Sequence, residues 1–175
     1  MIADNLRERL VRIKLFIVDN DGVLTDGRIV YGDYGDEIKF FDIQDGMGLV
    51  LLKKAGIHTA LISGRKCRVT SRRAKDMHIS QVHQNVRDKK AVFEKLCSRY
   101  RLKPEEVLYI GDDLIDLPPM IRCGFAVAVD NAVQEVKERA HYVTERRGGH
   151  GAVREVIDLL LKAQGKWDAL VSGYL

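Results

Sequence analysis

Only three cysteines, Cys67, Cys97 and Cys123, occur in the 175 residues. Their odd number and the absence of any C-x-x-C spacing argue against a disulfide framework or a thiolate zinc site, and for a reducing compartment. No apolar stretch approaches the ~20 residues needed to cross a bilayer, so no membrane partner is expected. The opening M-I-A-D-N-L-R-E-R-L carries acids and arginines where a secretory leader has an apolar run, which predicts a cytoplasmic protein. Charge is not segregated either. The net charge of +4 is spread over 29 basic and 25 acidic residues, and the densest basic stretch (Lys66, Arg68, Arg72, Arg73, Lys75) is interrupted like one exposed helix face. A nucleic-acid partner, which needs a clustered basic stripe, is therefore not expected, whereas an anionic small molecule suits the mild positive balance. There is no internal repeat and no low-complexity segment. What remains is one domain, 1–175, with 46 % hydrophobic residues and enough chain to bury a core.

Hydrophobic periodicity orders that domain. Residues 4–11 read as a short amphipathic helix. The apolar run 13–18 stops at D-N-D-G, as does a strand buried on both faces. Residues 28–41 alternate, R-I-V-Y and E-I-K-F-F around G-D-Y-G-D, which predicts a β-hairpin. Helices are then expected at 46–55, 66–76, 88–100, 114–122, 132–139 and 151–163, with strands at 58–62, 80–83, 107–110 and 125–129. Pro104 opens a turn, and 165–175 form a tail. This alternation predicts an α/β fold: a Rossmann-like parallel sheet with helices on both faces.

In such sheets ligands bind beyond the carboxyl ends of the strands. The polar residues there are Asp19 and Asp21, then Ser63, then Lys89, then Asp112, Asp113 and Asp116. If the strands ending at Asp19 and Asp112 are neighbours, about 4.8 Å apart, their carboxylates can share one hard cation such as Mg2+. Aspartate also favours turns and helix caps, and for any single acid that explanation suffices. For three clusters at three strand ends it is the weaker one. Carboxylates repel phosphate, so cations and neutral donors are required. Lys89, opening a helix, supplies charge added to the positive helix end. Ser63 in I-S-G-R supplies a hydroxyl, and Gly64 lets backbone approach. Asp19 is then the candidate nucleophile. Asp21 is the candidate acid for the leaving alcohol and base for the following water.

These residues resemble the haloacid dehalogenase superfamily. D-N-D-G-V-L-T, I-S-G-R, Lys89 and G-D-D-L-I-D match its four motifs in order. The resemblance implies magnesium held by Asp19, the main-chain carbonyl of Asp21, and Asp112, with Asp113 and Asp116 as supporting acids. V-L-T-D-G-R-I-V-Y, E-I-K-F-F-D-I-Q-D-G-M-G and E-R-R-G-G-H-G-A-V-R-E extend the resemblance to the 3-deoxy-D-manno-octulosonate 8-phosphate phosphatases. That family implies a sugar-acid phosphate substrate in lipopolysaccharide precursor synthesis, no cap domain, and a hairpin used in tetramer assembly. The gaps 26–46 and 63–89 leave no room for a cap. Two residues depart from the family pattern: Asn20, expected to point away from the phosphate by side-chain alternation, and Asn85, in place of a usual glycine.

Without a cap, the domain and its neighbours must read the substrate. Arg65, beside Ser63, is the first candidate for a substrate carboxylate. Arg146 and Arg147 fit a solvated role equally well, and Trp167 with Tyr174 fit either stacking or packing. The apolar tail is expected to reach a neighbour's open site. A nonulosonate 9-phosphate is the alternative substrate. A phospho-acceptor receiver domain uses similar residues in a different order, with its phosphorylated aspartate on a middle strand; here the middle strand ends in Ser63. An idle interaction subunit is the third reading, although no required group is missing.

Overall fold

A computed structural model describes residues 4–34 and 36–175. After a helix α1 (Asp4–Leu10), the chain enters β1 (Leu15–Val18), then a hairpin of β2 (Val30–Tyr31) and β3 (Glu37–Ile38). There follow α2 (Ile43–Lys54), β4 (His58–Ile62), α3 (Arg68–Asp76), β5 (Gln81–His83), α4 (Lys89–Tyr100) and β6 (Val107–Gly111). The last part holds α5 (Leu117–Met120), β7 (Phe125–Ala128), α6 (Gln134–Lys137), β8 (Tyr142–Val143), α7 (Ala152–Ala163) and α8 (Trp167–Ser172).

Six strands pair in parallel in the order β5-β4-β1-β6-β7-β8. All four side chains of L-F-I-V in β1 are buried, because β1 lies mid-sheet with helices over both faces. The chain winds outward from β1 through β4 to β5, then returns to β6 and winds the other way. Crossovers keep one hand, so this reversal sends α2 and α4 to opposite faces. Accordingly α2 packs with α7 and α4 with α5. The reversal also opens a crevice at the carboxyl end of β1, the usual place for a ligand in such sheets. The parallel sheet with helices on both faces is the predicted architecture.

Helix α7 shows why the pattern was legible. Ala152, Val153, Val156, Ile157, Leu160, Leu161 and Ala163 are buried at helical spacing. Each large apolar side chain so enclosed contributes about 1.5–3 kcal/mol. Elsewhere the structure corrects the periodic reading. Helix α2 begins at Ile43 rather than at residue 46, because Asp42 accepts a hydrogen bond from Gln44 N (2.6 Å) and caps it. The predicted helix 114–122 divides into a 3-10 turn (Leu114–Asp116) and the one-turn α5, with Pro118 and Pro119 lacking the N–H groups a continuous helix needs. The strand β8 and the helix in the tail were not anticipated.

The hairpin is present but small, two residues per strand, and Gly35 of its expected turn lies outside the described residues. The tail carries a short helix. Helix α8 folds back on its own subunit: Trp167 and Leu170 pack against the core, and Lys54 Nζ donates to Tyr174 Oη (2.7 Å). Arg154 and Lys162 lie over the Trp167 ring. Tyr174 and Leu175 at the end of the tail stay exposed on this subunit. Among the described residues no helix is long and apolar enough to cross a membrane.

Candidate active site

Strands β1 and β6 are direct neighbours, with Val18 opposite Ile110. Asp19 therefore follows β1 beside the Gly111–Asp112 end of β6, the adjacency on which a shared cation depends. After Asp19 the chain makes one wide turn over 20–24, closed by Thr25 N donating to Asn20 O (3.1 Å). Gly22 takes φ +92° within it, and a Cβ there would lie 2.0 Å from Asp112 Oδ2. No other residue type fits both the backbone and the space. The late G-G-H-G loop braces this turn. Gly148 N donates to Asn131 Oδ1 (2.6 Å), Asn131 Nδ2 donates to Gly22 O (2.9 Å), and Gly149 N donates to Val23 O (2.9 Å).

Lys89 opens α4, whose cap is Asp88 accepting from Ala91 N (3.1 Å). That placement brings the Lys89 ammonium 2.8 Å from Asp19 Oδ1 and 2.7 Å from Asp116 Oδ1. Asp19, Asp112 and Asp116 each offer an oxygen within 4.8 Å of the others. Asp116 is nevertheless already satisfied. Its Oδ1 accepts from Lys89 and from Tyr109 Oη (2.6 Å), and its Oδ2 accepts from Asp112 N (3.1 Å) and Asp113 N (3.4 Å). Asp112 Oδ1, in contrast, is buried with no hydrogen-bond partner among the described residues.

Electrostatics point the same way. Burial, followed by the Asp116 charge, holds the Asp19 carboxyl well above the usual carboxylate range, with Lys89 opposing. Burial and Asp116 push Asp112 up to about 7. Three acids face one lysine, so the cluster as built is short of positive charge. A divalent cation fits that deficit: it would meet Asp19, the orphaned Asp112 oxygen and backbone carbonyl, the hard oxygen donors magnesium prefers. Asp116 serves instead to hold Lys89 and the two amides in place.

The cleft above this cluster is lined by Asp19, Asp21, Gly27, Gly64, Arg65, Asp112, Asp113 and Ile115. Ser63 is buried beneath it, its Oγ accepting from Arg65 N (3.2 Å) and lying 3.4 Å from Asp21 Oδ2. Thus Asp19, Asp21, Ser63, Gly64, Arg65, Lys89, Asp112, Asp113 and Asp116 gather at one end of the sheet. Asp113 is exposed and accepts from Leu114 N (2.7 Å), capping the turn that carries Asp116. Arg146 and Arg147 do not line the cleft; both are exposed, and Arg146 reaches Gln44 (3.2 Å). Asn85 adopts φ +57°, which explains a usual glycine there and why asparagine serves.

Sequence reasoning missed three partners. Tyr109 was hidden as one more apolar strand residue. Glu37 and Lys39 sit on the hairpin: Lys39 pairs with Asp21, and Glu37 pairs with Arg65. The available signal was their period-2 spacing, which puts both on one side while Ile38 and Phe40 face the other. Asn20 is buried and does not line the cleft. In the wide turn its Nδ2 donates to Asp21 Oδ1 (3.0 Å), a contact the sequence did not indicate.

Residues 70–157 match the family of haloacid dehalogenase-like hydrolases. The 3-deoxy-D-manno-octulosonate 8-phosphate phosphatase of Yersinia pestis is 43 % identical over 165 residues, spanning 94 % of this chain and 88 % of that protein. The phosphatase of the same name from Moraxella catarrhalis, solved with magnesium ion, phosphate ion and a KDO molecule, superposes with a TM-score of 0.96. It is 40 % identical and the match covers 98 % of this chain and 99 % of that one. The cobalt-bound form of the Haemophilus influenzae enzyme gives a TM-score of 0.87 at 39 % identity, covering 90 % and 92 %. The chain thus belongs to the haloacid dehalogenase-like hydrolases and, within them, to the family of the 3-deoxy-D-manno-octulosonate 8-phosphate phosphatases.

Proposed function

We propose that this protein is a magnesium-dependent phosphomonoesterase that hydrolyses 3-deoxy-D-manno-octulosonate 8-phosphate, a cytoplasmic step in lipopolysaccharide precursor synthesis. One observation carries the chemistry: a buried carboxylate, Asp19, at the end of the central strand, 2.8 Å from the Lys89 ammonium and beside the unpartnered Asp112 oxygen. The substrate is taken from the named relatives, which match nearly the whole chain.

Asp19 Oδ attacks phosphorus in line, the bond to the sugar oxygen breaks, and Asp19 carries the phosphoryl group as an acyl phosphate. Asp21 protonates the departing sugar oxygen, then takes a proton from the water that cleaves the aspartyl-phosphate. Ser63, the Gly64 backbone and Lys89 hold the phosphoryl oxygens, and Arg65 meets the sugar-acid carboxylate. Asp19, the Asp21 carbonyl and Asp112 would hold magnesium, which when bound neutralises charge between carboxylate and phosphoryl oxygens. Asp113 and Asp116 support this set.

Phosphate release from a panel of sugar phosphates, with and without magnesium, tests the reading. A higher kcat/KM for the octulosonate 8-phosphate than for a nonulosonate 9-phosphate is expected. The reverse order would reassign the substrate, and no release from any ester would remove the phosphatase reading.

The assembly proposed is a homotetramer closed through the hairpins. Ile29, Val30, Ile38 and Phe40 are exposed there, Phe40 at 63 %, and a two-stranded hairpin with open edges is marginal in water. Joining four copies into a closed symmetric arrangement covers both the apolar groups and the edges. Sedimentation at micromolar concentration checks this, and a monomer would refute it.

A further inference from the structure

Two lysines are buried among the described residues, Lys89 and Lys39. The phosphoryl-transfer reading employs the first and leaves the second without a role. A buried ammonium is costly unless it is closely paired, so its partners show what it holds. Lys39 Nζ makes a direct ion pair with Asp21 Oδ1 and lies 3.5 Å from Glu37 Oε2. Its side chain is 1 % exposed. It arrives from outside the four motifs, on the arm of the hairpin that returns to the sheet, where Phe41 bridges back to Thr25. That bridge ties the hairpin base to the turn carrying Asp21.

The two oxygens of Asp21 are treated differently. Oδ1 receives Lys39 and also Asn20 Nδ2 (3.0 Å). Oδ2 has the Ser63 hydroxyl at 3.4 Å, a weak contact. Lys39 and Asn20 can only donate to Oδ1, whereas the Ser63 hydroxyl facing Oδ2 can turn from donor to acceptor, so a proton on the carboxyl resides on Oδ2.

We infer that Lys39 is a positioning residue for leaving-group protonation, anchoring Asp21 by Oδ1 so that Oδ2 carries the proton to the departing sugar oxygen. The inference rests on the reading of Asp21 as the acid. In the step, Asp19 forms the new bond to phosphorus and the electrons of the phosphorus–oxygen bond leave with the sugar oxygen. The Asp21 Oδ2 proton joins that oxygen, and Asp21 is left as a carboxylate facing Lys39. Lys39 itself transfers nothing; it fixes the geometry on which proximity depends.

The leaving group separates this role from a structural one. An alkyl phosphate needs a proton on its leaving oxygen, whereas p-nitrophenolate departs without one. The quantity to compare is kcat/KM, which excludes the later hydrolysis of the shared intermediate. For Lys39→Met the expected loss is about 100-fold or more with the octulosonate 8-phosphate and under about 10-fold with p-nitrophenyl phosphate, in line with the usual contribution of general acid catalysis. Asp21→Asn should show the same discrimination, and adding Lys39→Met to it should not widen the ratio further, since the lysine acts through the acid. Lys39→Gln, which removes the ammonium but keeps a polar end in the buried position, provides the same comparison should the methionine variant fold poorly. A proportional loss on both substrates would overturn the inference and leave Lys39 as part of the fold. If Asp21→Asn itself shows no leaving-group dependence, the assignment of Asp21 falls and the inference with it. If the unaltered protein cleaves neither ester, the phosphatase reading has failed instead.

Discussion

Lys89 Nζ lies 2.8 Å from Asp19 Oδ1, with both side chains buried. The lysine lowers the cost of that carboxylate, yet burial and Asp116 still hold its pKa well up. The pair is therefore balanced for an incoming cation and a phosphoryl group rather than for stability of the empty site. Asp19→Asn keeps the shape and removes the nucleophile. Its phosphate release should fall to background while its far-ultraviolet circular dichroism and melting stay close to those of the unaltered protein. Measurable magnesium-dependent turnover would contradict the role given to Asp19.

Removing the cation has a different signature. Lys89→Met leaves Asp19 and Asp116 buried and facing each other, and breaking a buried pair by deleting one partner costs about 3–5 kcal/mol. Urea denaturation in chelator should show that loss. Added magnesium should recover part of it, because a ligand that binds only the native state stabilises it by mass action.

Metal binding itself is checked on the unaltered chain. Magnesium at about 100 times its dissociation constant should add about 2.7 kcal/mol to stability, and Asp112→Asn should abolish most of that shift. Activity should vanish in excess chelator. Calcium, which takes more ligands at longer distances, should restore little. A melting temperature insensitive to magnesium would argue against the cation.

Glycine 22 is a geometric test of the same cluster. In Gly22→Ala the new Cβ meets Asp112 Oδ2 at 2.0 Å and the residue must hold φ +92°. The variant is expected to lose magnesium affinity along with some stability, in titration calorimetry and thermal melting respectively. Undiminished affinity would mean that the Asp112 carboxylate does not hold the metal.

Asp45 gives stability a pH dependence away from the site. It is buried at the start of α2, accepting from Arg154 N (2.7 Å), and burial raises its pKa from the ordinary 3.8 to about 6. Between these values the folded chain binds the proton more tightly than the unfolded chain. Stability therefore falls as pH rises from about 4 to about 6 and stays lower above, by about 3 kcal/mol at 1.36 kcal/mol per pH unit. Asp45→Asn should flatten this part of the profile and gain most at pH 8. Equal slopes in the two proteins, measured by denaturation across that range, would reject the assignment.

The sequence by itself determined which groups the protein carries to the carboxyl end of its sheet. Strand runs such as 15–18 and 107–111 are apolar throughout because both faces are covered, so each ends visibly where polar residues begin. The order Asp19, Ser63, Lys89, Asp112 could thus be read before their strands were known to be adjacent. Only the tertiary structure decided how those groups divide the work. Asp116 looks like Asp112 in G-D-D-L-I-D, but four donors from three parts of the chain engage it, while one oxygen of Asp112 is left without a partner. Lys39 lies just past the two-residue strand β3; its spacing from Glu37 shows that the two share a side but not what that side meets, and the Thr25–Phe41 bridge ties the hairpin base beside Asp21, with which Lys39 pairs. The tail likewise carried an apolar signal with no address; the packing of Trp167 beneath Arg154 and Lys162 supplied it. Local patterning follows from backbone repeat and burial, which each segment carries in itself. The partner of a charge is set by which distant segment the fold brings beside it.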